Sequence, residues 1–157
     1  MQYSRREGQS FYISPEQVNS TYLFKMTYSV IMTAKRKAGM SMADFKKHYE
    51  EQHIPLLYSI AGENFPLSHK RHYVQRDEEG QPSLIIPGKE ADFDYDALVV
   101  MTFRDKDHFD GFVGMMYGPD VTKVREEDEA KFIEMSSLAA VHLEDVQESL
   151  GPENEKE

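Results

Sequence analysis

Apolar and polar positions along the chain change their period several times, and the order of the changes predicts an architecture. The segment 26–33, MTYSVIMT, is dense in β-branched and aromatic residues and predicts a strand. Lys35-Arg36-Lys37-Ala38-Gly39 follows as a turn. Ser41 with Asp44 three residues on forms a capping-box-like start, and Phe45, His48 and Tyr49 recur at helical spacing, so a first helix is expected to run to about Gln52. Pro55 suits a fresh first turn, and Leu56, Leu57 and Ile60 extend an apolar face as far as Gly62 and Asn64, which predicts a second short helix. The stretch 67–75 is expected to be a strand, followed by the turn-forming RDEEGQP. Residues 83–93 contain Pro87-Gly88 and predict a loop long enough to matter for access to a site. Residues 95–103, YDALVVMTF, form the clearest strand pattern. Asp105 is placed to cap a helix carrying Phe109, Phe112, Val113 and Met116, which ends at Gly118-Pro119. A further helix over about 120–135 presents Val121, Val124, Phe132 and Ile133, and a last strand covers 137–143.

Strand, helix, strand, strand, helix, strand is the split βαβ arrangement: an α+β, ferredoxin-like fold with a four-stranded antiparallel sheet and helices on one face. The bare face needs a cover. A second copy of the same sheet is the simplest one, so a homodimer closing face to face into a dimeric α+β barrel is expected. On this reading residues 1–22 form a polar N-terminal extension, 23–146 the folded domain and 147–157 a disordered acidic tail, because QESLGPENEKE has almost no apolar content to offset the entropy of ordering.

Composition narrows the chemistry. The formal charge is −10, so the average field repels phosphate backbones and anionic membrane surfaces, and nucleic acid and membrane partners are not expected. There is no cysteine, which removes disulfides, thiolate nucleophiles and the common structural zinc sites, and no run of about twenty apolar residues. A cytoplasmic address follows as the default. What remains for catalysis is oxygen and imidazole.

His53, placed directly before the helix expected at Pro55, would have its pKa lowered by the positive end of the helix dipole and so serve as a neutral general base; the alternative is that it simply caps the helix and packs. His69, Arg71 and Tyr73 share one parity on the second strand, projecting from one face at intervals of about 7 Å. Such a row would hold negative charge on oxygen, Arg71 fixing charge and Tyr73 supplying a weak acid; the alternative is a face of polar cross-strand pairs with Asp or Glu. His72 has the opposite parity and is expected to face the helices or solvent. Tyr28 in the first strand, His48 in the first helix, and Asp128 with Phe132 on one face of the late helix are further candidates for contact with a small-molecule substrate, although packing is the commoner use of such positions. No metal site is expected, since His69 and His72 would project from opposite faces of a strand. No phosphate-binding glycine loop is present.

The segment RKAGMSMADFKKHYEEQHIPL, followed by FPLSHKRHYV and the acidic helix EEDEAKF, resembles the EthD-domain family in its fungal branch, over about residues 28–145. The resemblance implies a ferredoxin-like fold that dimerises through its sheets. It also implies a cofactor-free lyase, a decarboxylase or dehydratase, acting on an aromatic or polyketide-derived molecule in secondary metabolism. It favours His53, His69 and Tyr73 as catalytic and Arg71 as substrate-binding. The alternatives are a cofactor-free monooxygenase or cyclase on the same scaffold, or a binding module without chemistry, because a fold does not choose its reaction.

Overall fold

A computed structural model describes residues 27–149 and residue 151. The extension expected over 1–22 lies outside the described residues, as do 150 and 152–157 of the expected tail. Residues 147–149 carry no regular structure and are exposed.

Four strands, β1 (Tyr28–Ala34), β2 (Ser68–Tyr73), β3 (Ala97–Phe103) and β4 (Ala139–Leu143), form one antiparallel sheet in the order β2-β3-β1-β4. This is the ferredoxin-like order. Strand register sorts the side chains by face. Val30 opposite Met101 and Ala34 opposite Ala97 are buried under the helices together with Val99 and Phe103. The alternate residues Ile31, Leu98 and Val100 lie on the other face beside Val141, which is 60% exposed.

The helical layer begins at α1 (Met42–His48), whose cap Ser41 accepts a hydrogen bond from the Asp44 N–H. The second short helix expected at Pro55 is present, with Pro55 in its first turn, but the chain does not break near Gln52 to begin it. A π-helical turn, Tyr49–His53, joins α1 to α2 (Ile54–Ala61) with helical backbone angles throughout, and the Ile54 N–H donates to the Tyr49 carbonyl. The missing N–H of Pro55 is tolerated because the wider turn relaxes the local hydrogen-bond ladder. The rod ends at Gly62, whose φ of +53° suits a residue without Cβ.

On the C-terminal half, Asp105 caps α3 (Lys106–Met116) by accepting from the His108 N–H. Then α4 (Pro119–Phe132) runs back across the sheet and ends three residues before the expected Met135, because Ile133 has extended backbone and bridges to Arg36. Of the stripe expected on α4, Phe132 and Ile133 are buried, but the rest of its inner side is charged. Val124 is exposed, while Arg125, Asp128, Glu129 and Phe132 are buried. The charges are tolerated because they are paired: Arg125 donates to Glu129 at 2.6 Å and to the Met116 carbonyl. The loop over 83–93 is irregular except for a 3-10 turn, Glu90–Phe93.

Candidate functional site

The side chains of interest lie where the α1–α2 rod and α4 cover β2. Aromatic packing builds the floor. Phe132 is fully buried, stacks on His48 at 4.5 Å between ring centroids, and lies 5.1 Å from His53 and 5.3 Å from Tyr49. Phe132 thus acts as a wall behind both imidazoles.

The π turn decides what those imidazoles can reach. In a regular α-helix residues five apart point about 140° away from each other; closing the turn over five residues brings His48 and His53 round to the same neighbour. That neighbour is Asp128 of α4. His53 Nδ1 lies 2.8 Å from Oδ2 and His48 Nε2 lies 2.9 Å from Oδ1, so each imidazole donates to its own carboxylate oxygen. Burial pushes the Asp128 pKa up, but the two hydrogen bonds outweigh it and hold the carboxyl below its ordinary value, so it is ionised.

With Nδ1–H donated to Asp128, neutral His53 carries its free lone pair on Nε2. Its pKa is lowered, but not by a helix terminus: His53 is inside a continuous rod and 3% exposed, and the cause is burial, opposed by Asp128.

His69 has the opposite tautomer. Its Nδ1 is 3.0 Å from Arg71 Nη1, and because a guanidinium only donates, Nδ1 accepts and the proton of the neutral ring sits on Nε2. Burial, then the Arg71 charge, push His69 down to about 4. A charge on His53 also lowers it, so the two rings are electrostatic neighbours. The Tyr49 ring is in edge contact with both, 5.3 Å from His53 and 6.5 Å from His69. The Tyr49 hydroxyl is buried without a hydrogen-bond partner among the described residues, and burial raises its pKa, so it remains a donor.

Arg71 and Tyr73 share the face of His69, opposite Val99 and Ala97, but both are turned to one residue. Arg71 Nε and Nη2 donate to Glu50 Oε1 and Oε2 at 2.6 and 2.8 Å, and the Tyr73 hydroxyl donates to Oε1 at 2.6 Å. Neither group is free to fix a substrate charge or give up a proton in the expected way: Arg71 is occupied, and burial together with the bond to Glu50 raises the Tyr73 pKa. Glu50, held below its ordinary pKa by the Arg71 bond, is absent from the sequence-based set. Nothing in the spacing of β2 marks it, because it reaches Arg71 and Tyr73 from the neighbouring helical rod.

Tyr28 stands apart. It packs on Phe109 of α3 and hydrogen-bonds His142 of β4 at 2.9 Å. His72 pairs opposite Leu98 on the open face and is exposed. Among the described residues no group of three or more His, Asp and Glu side chains is arranged to hold a metal, and no helix is long and apolar enough to cross a membrane.

A ferredoxin-like α+β chain with a paired-histidine carboxylate beneath its sheet is the class that fold and site define. The EthD domain model matches residues 37–136, and the chain belongs to the EthD domain family. Solved structures similar to it include an EthD family protein of Bacillus halodurans, 17% identical, covering 77% of this chain and 100% of that one with a TM-score of 0.49. An EthD-like protein of Ralstonia eutropha is 13% identical, covering 74% and 87% with a TM-score of 0.46. A dimeric ferredoxin-like protein of unknown function from Thermobifida fusca is 18% identical, covering 78% and 94% with a TM-score of 0.43. No curated protein matches the sequence significantly.

Proposed function

We propose that this protein is a cofactor-independent lyase acting in the cytoplasm on a small aromatic or polyketide-derived molecule, with His53 as the general base. The observation that carries the reading is the pair of opposed neutral tautomers: His53 is held by Asp128 with its lone pair on Nε2, and His69 is held by Arg71 with its proton on Nε2. One ring accepts a proton and the other donates a hydrogen bond, which is what enolisation of a carbonyl requires.

In the proposed step His53 Nε2 takes a proton from the carbon next to a carbonyl. The released electron pair moves onto the carbonyl oxygen, to which the His69 Nε2–H donates a hydrogen bond, and Asp128 stabilises the imidazolium. Collapse of the enolate then forms a C=C bond as the bond to a leaving group on the β carbon breaks, and the imidazolium gives its proton to that leaving group. Loss of carbon dioxide would send an electron pair to the same oxygen from a C–C bond instead.

The open face of the sheet, with Ile31, Leu98, Val100 and Val141, supports a homodimer closed through paired sheets. The function is tested with 2-acetonaphthone, a flat aromatic methyl ketone, whose methyl deuterium uptake in D2O is followed by NMR. The protein should accelerate uptake and His53→Ala should remove about 10²–10⁴-fold of that acceleration with the fold retained. Equal exchange by the variant refutes the base assignment.

A further inference from the structure

The surroundings of Arg71 bear on whether the substrate of this site arrives charged. We propose that Glu50 is a specificity-determining residue: by filling the two-pronged face of Arg71 it takes the place a substrate carboxylate would occupy, and the site receives uncharged carbonyl or phenol substrates. The inference rests on the site reading in the preceding section.

A guanidinium binds carboxylates through two parallel N–H groups, and here that fork is already closed on Glu50 at 2.6 and 2.8 Å. The remaining nitrogen, Nη1, donates to the His69 carbonyl at 2.7 Å and to His69 Nδ1. Glu50 is itself held by Tyr73, so the block is anchored from two sides. The other cations near this cluster are placed differently. Arg125 is turned to Glu129 and the Met116 carbonyl. Lys46 lies over the Tyr73 ring at 5.0 Å, and Lys131, 4.0 Å from Asp128, has a side chain 64% exposed at the rim. A carboxylate entering beside the carboxylates of Asp128 and Glu50 would be repelled by both and would find the Arg71 fork closed. A ketone or phenol needs only a neutral donor, and His69 Nε2–H is one.

Of the two lyase reactions, this favours loss of water. In a β-hydroxy ketone, His53 takes the α proton, the C–H pair forms the enolate held by His69, and the enolate then forms the C=C bond as the C–OH bond breaks. The hydroxide takes the proton from His53 and leaves as water. The step is redox-neutral and needs no co-reactant.

The test compares two nearly isosteric probes at neutral pH, 2-acetonaphthone and 2-naphthoate, by fluorescence titration and by shifts of the His53 and His69 ring signals. The wild-type protein should bind the ketone at least about tenfold more tightly. Glu50→Gln, which releases the Arg71 fork, should tighten naphthoate binding at least about tenfold and leave the ketone within about twofold. Naphthoate binding as tightly as the ketone in the wild type overturns the proposal without any variant, so it is decided even if Glu50→Gln fails to fold. An unchanged preference in a folded Glu50→Gln protein also overturns it. Ketone preference without His53-dependent deuterium uptake leaves the specificity standing and removes the lyase reading; binding of neither probe removes both.

Discussion

His53 Nδ1 lies 2.8 Å from Asp128 Oδ2 across 75 residues of sequence, and the bond fixes which imidazole nitrogen is free. Replacing Asp128 by Asn keeps the shape but offers an amide that can donate to Nδ1 and so reverse the tautomer. Asp128→Asn should therefore lose about 10²–10⁴-fold of the His53-dependent deuterium exchange while circular dichroism stays native. Exchange at the wild-type rate would show that the carboxylate has no part in orienting the base.

His48 bonds the other oxygen of the same carboxylate, at 2.9 Å. Removing that donor with His48→Ala leaves Asp128 more basic and the imidazolium of His53 better stabilised, so the His53 pKa measured by NMR should rise. His48→Gln, which restores an N–H donor, should return it towards the wild-type value. A His53 titration indifferent to both substitutions would confine His48 to packing on Phe132.

Stability should depend on pH in a direction set by the buried imidazoles. Burial, reinforced by Arg71, holds His69 at about 4 against 6.5 for a free ring, so between those values the unfolded chain binds a proton that the folded chain refuses. The unfolding free energy should be full above about pH 6.5 and fall as the pH drops towards 4, by on the order of 3 kcal/mol from this residue. His53, also lowered by burial, acts in the same direction. Asp128 acts elsewhere: its lowered pKa contributes stability that is lost only below the ordinary carboxylate value of 3.8. Urea unfolding between pH 7.5 and 4.5 measures the slope, and His69→Asn should flatten it.

The paired-sheet dimer has a direct check at Val141, which is 60% exposed at the open face beside Ile31. Val141→Glu would place a charge in the proposed interface and should shift the protein to monomers in analytical ultracentrifugation, with its circular dichroism unchanged. A variant that sediments as the wild type does would place any subunit contact elsewhere.

The strands and the order of elements were legible because their signals are local. Alternation in 95–103 marks β3, and Ser41 and Asp105 announce the helix starts with caps that the structure contains. The shared face of His69, Arg71 and Tyr73 followed from parity alone. The roles of those side chains did not, because they depend on which partner each one finds. Glu50 captures Arg71 and Tyr73 from a different element, and no spacing rule within β2 could announce it. Pro55 does lie in a first helical turn, as expected, but its presence concealed the π turn that joins the two helices without a break. On α4 the burial of Arg125 and Glu129 hid the true inner face, because a satisfied ion pair reads as solvent-facing polarity in sequence.

The π turn also sets the phase of everything beyond it. One residue fewer between Tyr49 and Gln52 would let the rod wind as plain α-helix, and the arc between the two imidazoles would change while Leu57 and Ala61, now buried, rotated against their neighbours. The segment is therefore intolerant of length change even at its solvent-facing positions Glu51 and Gln52, where almost any side chain should be accepted. Spacing, more than identity, is the quantity this stretch of chain must keep.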